Sequence, residues 1–185
     1  QRLLQRSDNL SVLVVGGSLG AQVLNDVVPK ALSLMGKAQR PRVIHQAGVK
    51  HIDALQATYR AANVQADVRP FIDDMAAAYR DCDLLICRAG ALTIAEICAV
   101  GIASILIPFP HAVDDHQTGN ARFLSDVGAA ILIAQQELTP TRLADQIKRF
   151  TREQLTQMAT KARQLAKPDA TEQVAKACME LAHAA

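Results

Sequence analysis

Ser11-Val12-Leu13-Val14-Val15-Gly16-Gly17-Ser18-Leu19-Gly20 is a short apolar run that turns through glycine into what reads as a helix. Asp83-Leu84-Leu85-Ile86-Cys87-Arg88-Ala89-Gly90-Ala91-Leu92-Thr93 repeats the pattern further along. A strand that turns through glycine into a helix aims backbone N–H groups and the positive end of the helix dipole at one point. That arrangement favours an anion, most often phosphate. Two such loops imply a ligand with two phosphates, provided the loops meet in space.

Working outward, strands are expected near residues 11–16, 42–46, 66–70, 83–87, 103–107 and 129–133. Helices are expected near 20–35, 50–61, 73–80, 91–100, 116–126, 141–149, 152–166 and 171–183. Strand alternating with helix gives an α/β, doubly wound parallel sheet of six strands covered on both faces, a Rossmann-like fold. In the commonest strand order, the first and fourth strands are neighbours at the switch point, and ligands bind at their carboxyl ends. Those ends carry the two glycine loops.

Composition narrows the function. The 185 residues suit one domain with a sizeable core. Half the residues are apolar, but aromatics make up only 3% and Trp is absent, so Ala, Val, Leu and Ile must fill the core. A net charge of +2 is too weak for a nucleic-acid surface, and few aromatics are present to stack on bases. Cys82, Cys87, Cys98 and Cys178 form no CxxC pair and read as reduced core residues suited to a reducing cytoplasm. No signal peptide is evident, and a chain that opens on Gln1 rather than Met reads as a segment of something longer. The stretch Ala89 to Pro110 has Glu96 as its only charged residue; glycines and prolines split it into a helix and a strand rather than a membrane span. From Pro140 onward the text is polar and helical with no strand. This tail is expected to pack on the sheet or to return toward a partner domain.

The same residues admit other chemistries. Gly16-Gly17-Ser18-Leu19-Gly20 satisfies G-x-S-x-G, and Asp114, Asp115 and His116 follow in the order of a serine hydrolase. The elbow of that fold normally follows several strands, whereas this one follows the first. A dinucleotide site lacks both G-x-G-x-x-G and an acid closing the second strand, which ends Val43-Ile44-His45-Gln46. A plainer reading takes the glycines as tight turns in a domain without catalysis. His111, His116, Asp114 and Asp115 have no defensible metal-ligand spacing.

Two further features point to a nucleotide sugar. Glu96 lies in the first turns of the helix after Gly90, where the dipole favours a carboxylate. A carboxylate there can also accept both hydroxyls of a ribose. The loop from Pro108 to Gln117 is polar and sits at the same end of the sheet. Its Gln117 can donate and accept, which suits sugar hydroxyls or, more simply, loop capping.

Four segments then occur in order: Gly16-Gly17-Ser18-x-Gly20-Ala21, Phe71-Ile72-Asp73-Asp74-Met75, Cys87-Arg88-Ala89-Gly90-Ala91-Leu92-Thr93-Ile94-Ala95-Glu96, and Asp115-His116-Gln117-x-x-Asn120-Ala121. Together they resemble the C-terminal half of the MurG family, GT-B glycosyltransferases that complete the lipid-linked disaccharide precursor of bacterial peptidoglycan. The resemblance runs from about Val12 to the end.

It implies that residues 1–185 are the donor-binding domain, with a helical tail over about 140–185, and that the N-terminal acceptor domain is absent. The implied donor is UDP-N-acetylglucosamine, with UDP as product. The backbone of Ile72 would meet uracil. Ala91, Leu92, Thr93, Ile94, Ala95 and Glu96 would wrap the nucleotide, with Glu96 on the ribose diol. Ser18 and the N–H groups around Thr93 would hold the pyrophosphate, and Gln117 with His116 would reach the sugar. Gly17, Arg88 and Gly90 are further candidate contacts. The catalytic base and the site for the lipid-linked acceptor would belong to the missing half. No tightly bound metal or other cofactor is implied, and the full enzyme would sit peripherally on the cytoplasmic face of the bacterial inner membrane.

Overall fold

The computed structural model describes residues 8–17, 20–110 and 112–183. Six strands, β1 (Ser11–Val15), β2 (Arg42–Gln46), β3 (Asp67–Arg69), β4 (Leu84–Cys87), β5 (Ser104–Leu106) and β6 (Ala130–Leu132), form one sheet. All are parallel, in the order β3-β2-β1-β4-β5-β6. The expected doubly wound order is therefore the one adopted, with β1 and β4 adjacent. Between and after the strands run α1 (Gln22–Ser33), α2 (Ile52–Ala61), α3 (Met75–Asp81), α4 (Ala91–Val100), α5 (His116–Ser125), α6 (Pro140–Arg149), α7 (Arg152–Gln164) and α8 (Ala170–His183).

Residue parity explains the two-sided core. Side chains alternate across a strand, so Val12 and Val14 face one layer and Leu13 the other. The first layer takes Leu24, Val28 and Leu32 from α1, Leu55 and Tyr59 from α2, and Leu143 and Ile147 from α6. The second takes Tyr79 from α3, Ile94 and Ile97 from α4, and Leu124 from α5. Central strands buried on both faces need continuous apolar runs, which Val12–Val14 and Leu84–Cys87 supply.

The tail divides. Thr139 caps α6 by accepting from the Arg142 N–H at 3.2 Å, with Pro140 as its first residue, where the missing N–H costs nothing. Thr151 and Gln154 form a reciprocal capping box on α7. With those starts fixed, α6 packs against α1 and α7 against α4. By contrast, every side chain from 170 to 182 on α8 is exposed. The stretch weighed as a membrane span is α4 followed by β5, and no described helix is long and apolar enough to cross a membrane.

Candidate functional site

A crevice of about 510 Å³ opens at the carboxyl end of the sheet, between β1 and β4. Gly16, Gly17 and Gly20 line one side, Gly90 and Thr93 the other, with Arg88, Phe109, Gln117 and Gln135 completing the wall. The two glycine loops do meet.

The loop after β1 is shaped by its glycines. Gly20 has φ +75°, and a β-carbon on it would stand 2.1 Å from the Ala47 carbonyl oxygen, so tight packing against the β2 end demands glycine there. Gly17 has φ +86° and nothing within 4 Å of a would-be β-carbon, so its backbone stays open to the crevice. Positive φ accounts for glycine at both positions, and Gly17 in addition has open space beside it. Ser18 lies outside the described residues.

The loop after β4 ends in a helix start with no side-chain cap. The first backbone bond of α4 runs from the Ile94 N–H to the Gly90 oxygen at 3.0 Å. The N–H groups of Ala91, Leu92 and Thr93 precede that bond, so helix geometry gives them no partner within the helix. With the helix dipole they form a positive end at the crevice.

α5 holds this loop in place. The Gln117 side-chain oxygen accepts from the N–H of Ala89 at 3.2 Å and of Phe109 at 3.0 Å. The Asn120 amide donates to the Ala89 oxygen at 3.0 Å. Gln117 therefore performs the loop capping considered from the sequence, and its Nε2 group remains as the donor end on a residue that lines the crevice.

Arg88 ties the wall together. Its guanidinium donates to the Ile107 and Pro108 oxygens at 3.2 and 3.1 Å and to the Gln135 side-chain oxygen at 2.7 Å. It also lies over the Phe109 ring, 5.3 Å from the centroid. Burial lowers its pKa, and it brings positive charge to the crevice wall.

Other expected site residues sit around this centre. Glu96 projects from the exposed face of α4, outside the crevice lining, and its carboxylate accepts a 2.8 Å hydrogen bond from the Tyr79 hydroxyl. Ile72 is buried, in the segment leading from β3 to α3 at the same end of the sheet. Ala91, Leu92 and Ala95 are exposed, Leu92 at 80%, whereas the Ile94 side chain is core. His116 is exposed at the first position of α5. His111 lies outside the described residues. Asp114 and Asp115 are exposed, both at positive φ. Among the described residues, no group of three or more His, Cys, Asp or Glu is placed to hold a metal ion.

Sequence reading missed Tyr79, Phe109 and Gln135 as parts of the site. Their roles rest on partners far along the chain, such as Arg88 with Gln135, and no local pattern marks them. Cys87 and Cys98 are buried, and burial pushes both thiols up, so neither is a poised nucleophile.

Residues 11–174 match the model of the glycosyltransferase family 28 C-terminal domain. The chain belongs to that family. A protein of Azoarcus sp. (strain BH72), named UDP-N-acetylglucosamine–N-acetylmuramyl-(pentapeptide) pyrophosphoryl-undecaprenol N-acetylglucosamine transferase, is 64% identical over 98% of this chain. One of the same name from Dechloromonas aromatica (strain RCB) is 59% identical, also over 98%. The chain spans about half the length of these relatives, 51% in both cases. The crystal structure of Acinetobacter baumannii MurG superposes with a TM-score of 0.88 at 45% identity, covering 95% of this chain and 53% of that one. The domain is thus the Rossmann-like half of a GT-B fold, and the serine hydrolase reading of Ser18 is set aside.

Proposed function

We propose that this domain binds the donor in an inverting transfer of N-acetylglucosamine from UDP-N-acetylglucosamine to a lipid-linked muramyl-pentapeptide acceptor. The observation that carries the reading is the convergence of both glycine loops and Gln117 on one crevice. A diphosphate fits between the loop at Gly17 and the N-terminus of α4, with Ser18 and the Thr93 N–H as contacts. From there the nucleoside runs along α4 toward Glu96 and Ile72, and the sugar toward Gln117 and His116. The names and the fold of the relatives support this donor.

In the transfer, an acceptor hydroxyl attacks the anomeric carbon from the face opposite UDP. A new C–O bond forms as the bond to the diphosphate breaks, and UDP leaves as an anion. The α4 N–H groups and dipole stabilise the charge that develops on it. The hydroxyl proton goes to a base that we place outside this chain, along with the acceptor site. The reading requires no resident metal. The complete enzyme would work at the cytoplasmic membrane face as a peripheral protein.

The test is calorimetric titration of this chain with UDP-N-acetylglucosamine, UDP and TDP, followed by an assay for disaccharide lipid in the presence of the acceptor. Both uridine ligands should bind, TDP more weakly, and no product should form, because proximity catalysis needs both substrates held. Failure to bind UDP, or robust product from this chain alone, would overturn the assignment.

A further inference from the structure

Glu96 is exposed, yet it is not loosely held. Tyr79 of α3 reaches it with its hydroxyl, which donates to Glu96 Oε2 at 2.8 Å. The Tyr79 side chain is 5% exposed, packed in the layer that also holds Ile94 and Ile97 of α4. The anchor is therefore rigid and comes from a different element. Burial first, and the Glu96 carboxylate second, push the Tyr79 phenol well above its usual range, so it stays protonated and can only serve as a donor toward the carboxylate.

A carboxylate offers about four lone-pair positions on its two oxygens. The Tyr79 hydrogen bond takes one, fixes the rotamer and leaves acceptor capacity for two adjacent hydroxyls. An unanchored glutamate on a helix surface would have to lose that rotamer freedom when ligand binds. Tyr79 lies on α3 and lines no part of the crevice, so it contributes by orienting Glu96.

We propose that Tyr79 is a positioning residue that presets the Glu96 carboxylate for the vicinal diol of the donor ribose. The proposal rests on the reading of Glu96 as the ribose acid. It predicts that Tyr79→Phe, which keeps the buried ring and removes only the hydroxyl, weakens UDP binding about 3- to 10-fold. The same change should leave binding of 2′,3′-dideoxyuridine diphosphate unaltered.

Both ligands are titrated into the unaltered chain, Tyr79→Phe, Glu96→Ala and the double variant, with thermal melting of each protein. Support consists of a loss confined to UDP, a melting temperature close to the parent's, and no further loss when Tyr79→Phe is added to Glu96→Ala. Equal losses for both ligands, or an undiminished Tyr79→Phe effect in the Glu96→Ala background, would show a purely structural tie and overturn the proposal. So would an unaffected Tyr79→Phe in a protein where Glu96→Ala still separates UDP from the dideoxy ligand, and in that case the ribose reading survives. If Glu96→Ala weakens the two ligands alike, the ribose reading itself fails and takes the proposal with it.

Discussion

The Ala47 carbonyl oxygen occupies the place where a β-carbon on Gly20 would sit, 2.1 Å from that position. The same oxygen accepts from the Asn25 side-chain amide at 3.1 Å, which ties α1 to the end of β2. The first glycine loop is therefore clamped from behind while its Gly17 side faces the crevice. Any side chain at residue 20 must displace backbone, not a flexible side chain.

Gly20→Ala should accordingly cost about 2–4 kcal/mol, combining strain at φ +75° with overpacking. In a chain of this size that is a fall of roughly 4–16 °C in melting temperature. UDP affinity should fall further than partial unfolding explains, because the loop must move. Differential scanning calorimetry with and without UDP measures both effects. A variant with parental stability and affinity would mean that the Gly20–Ala47 contact is loose in solution.

His45 gives the fold a dependence on pH. It is fully buried on β2, and its Nδ1 and the Tyr59 hydroxyl share a 2.9 Å hydrogen bond. Burial lowers its pKa from 6.5 to about 3. The unfolded chain binds a proton below pH 6.5 that the folded chain refuses until about pH 3, so stability drops as pH falls through that window. From pH 7 to 5 the loss should reach about 2 kcal/mol, before most carboxylates titrate. Urea midpoints at pH 7, 6 and 5 test this against His45→Gln, whose curve should be much flatter over the same range. Parallel curves would assign the acid sensitivity to other groups.

Arg88 should not tolerate its nearest charge-preserving substitute. A lysine ammonium cannot reach two carbonyls, the Gln135 oxygen and the Phe109 face in the geometry of a guanidinium. Arg88→Lys should lower stability by roughly 1–3 kcal/mol through lost charge-assisted bonds at a half-buried position. Protease cleavage within the loop from Pro108 to Asp115 should also become faster. An unchanged melting temperature and cleavage rate would show that the wall holds without this fork.

How far the sequence discloses these features depends on their range. Val12–Val14 and Leu84–Cys87 are buried on both sides, so their strands read as unbroken apolar runs and are found where expected. β3 is only Asp67–Arg69, with two exposed positions, and the wider strand expected there has no burial to sustain it. α1 starts at Gln22, not at residue 20, because Gly20 takes a left-handed conformation against Ala47. The glycine loops were legible because strand, turn and helix start are all local. The Tyr79–Glu96 bond and the Arg88–Gln135 bond join residues brought together only by packing, so no spacing rule could reveal them. Gln117 was legible as a crevice residue with loop capping open to it, but which N–H groups it caps, those of Ala89 and Phe109, was not.

That double role of Gln117 can be separated by substitution. Gln117→Glu retains an acceptor for the N–H groups of Ala89 and Phe109 but removes the Nε2 donor and adds negative charge beside the proposed diphosphate site. Gln117→Ala removes bracing and donor together. The Glu variant should keep nearly parental stability, whereas the Ala variant should lose about 1–3 kcal/mol as two loop N–H groups lose their partner. Binding should divide differently. Charge repulsion in the Glu variant should weaken UDP and UDP-N-acetylglucosamine together, and loss of the donor should weaken the sugar nucleotide by a further several-fold, since one hydrogen bond is worth about 0.5–1.5 kcal/mol. Thermal melts and paired titrations of the two ligands measure these quantities. If Gln117→Glu changes both ligands by the same factor, the amide donor makes no sugar contact, and Gln117 serves only to brace the loops after β4 and β5.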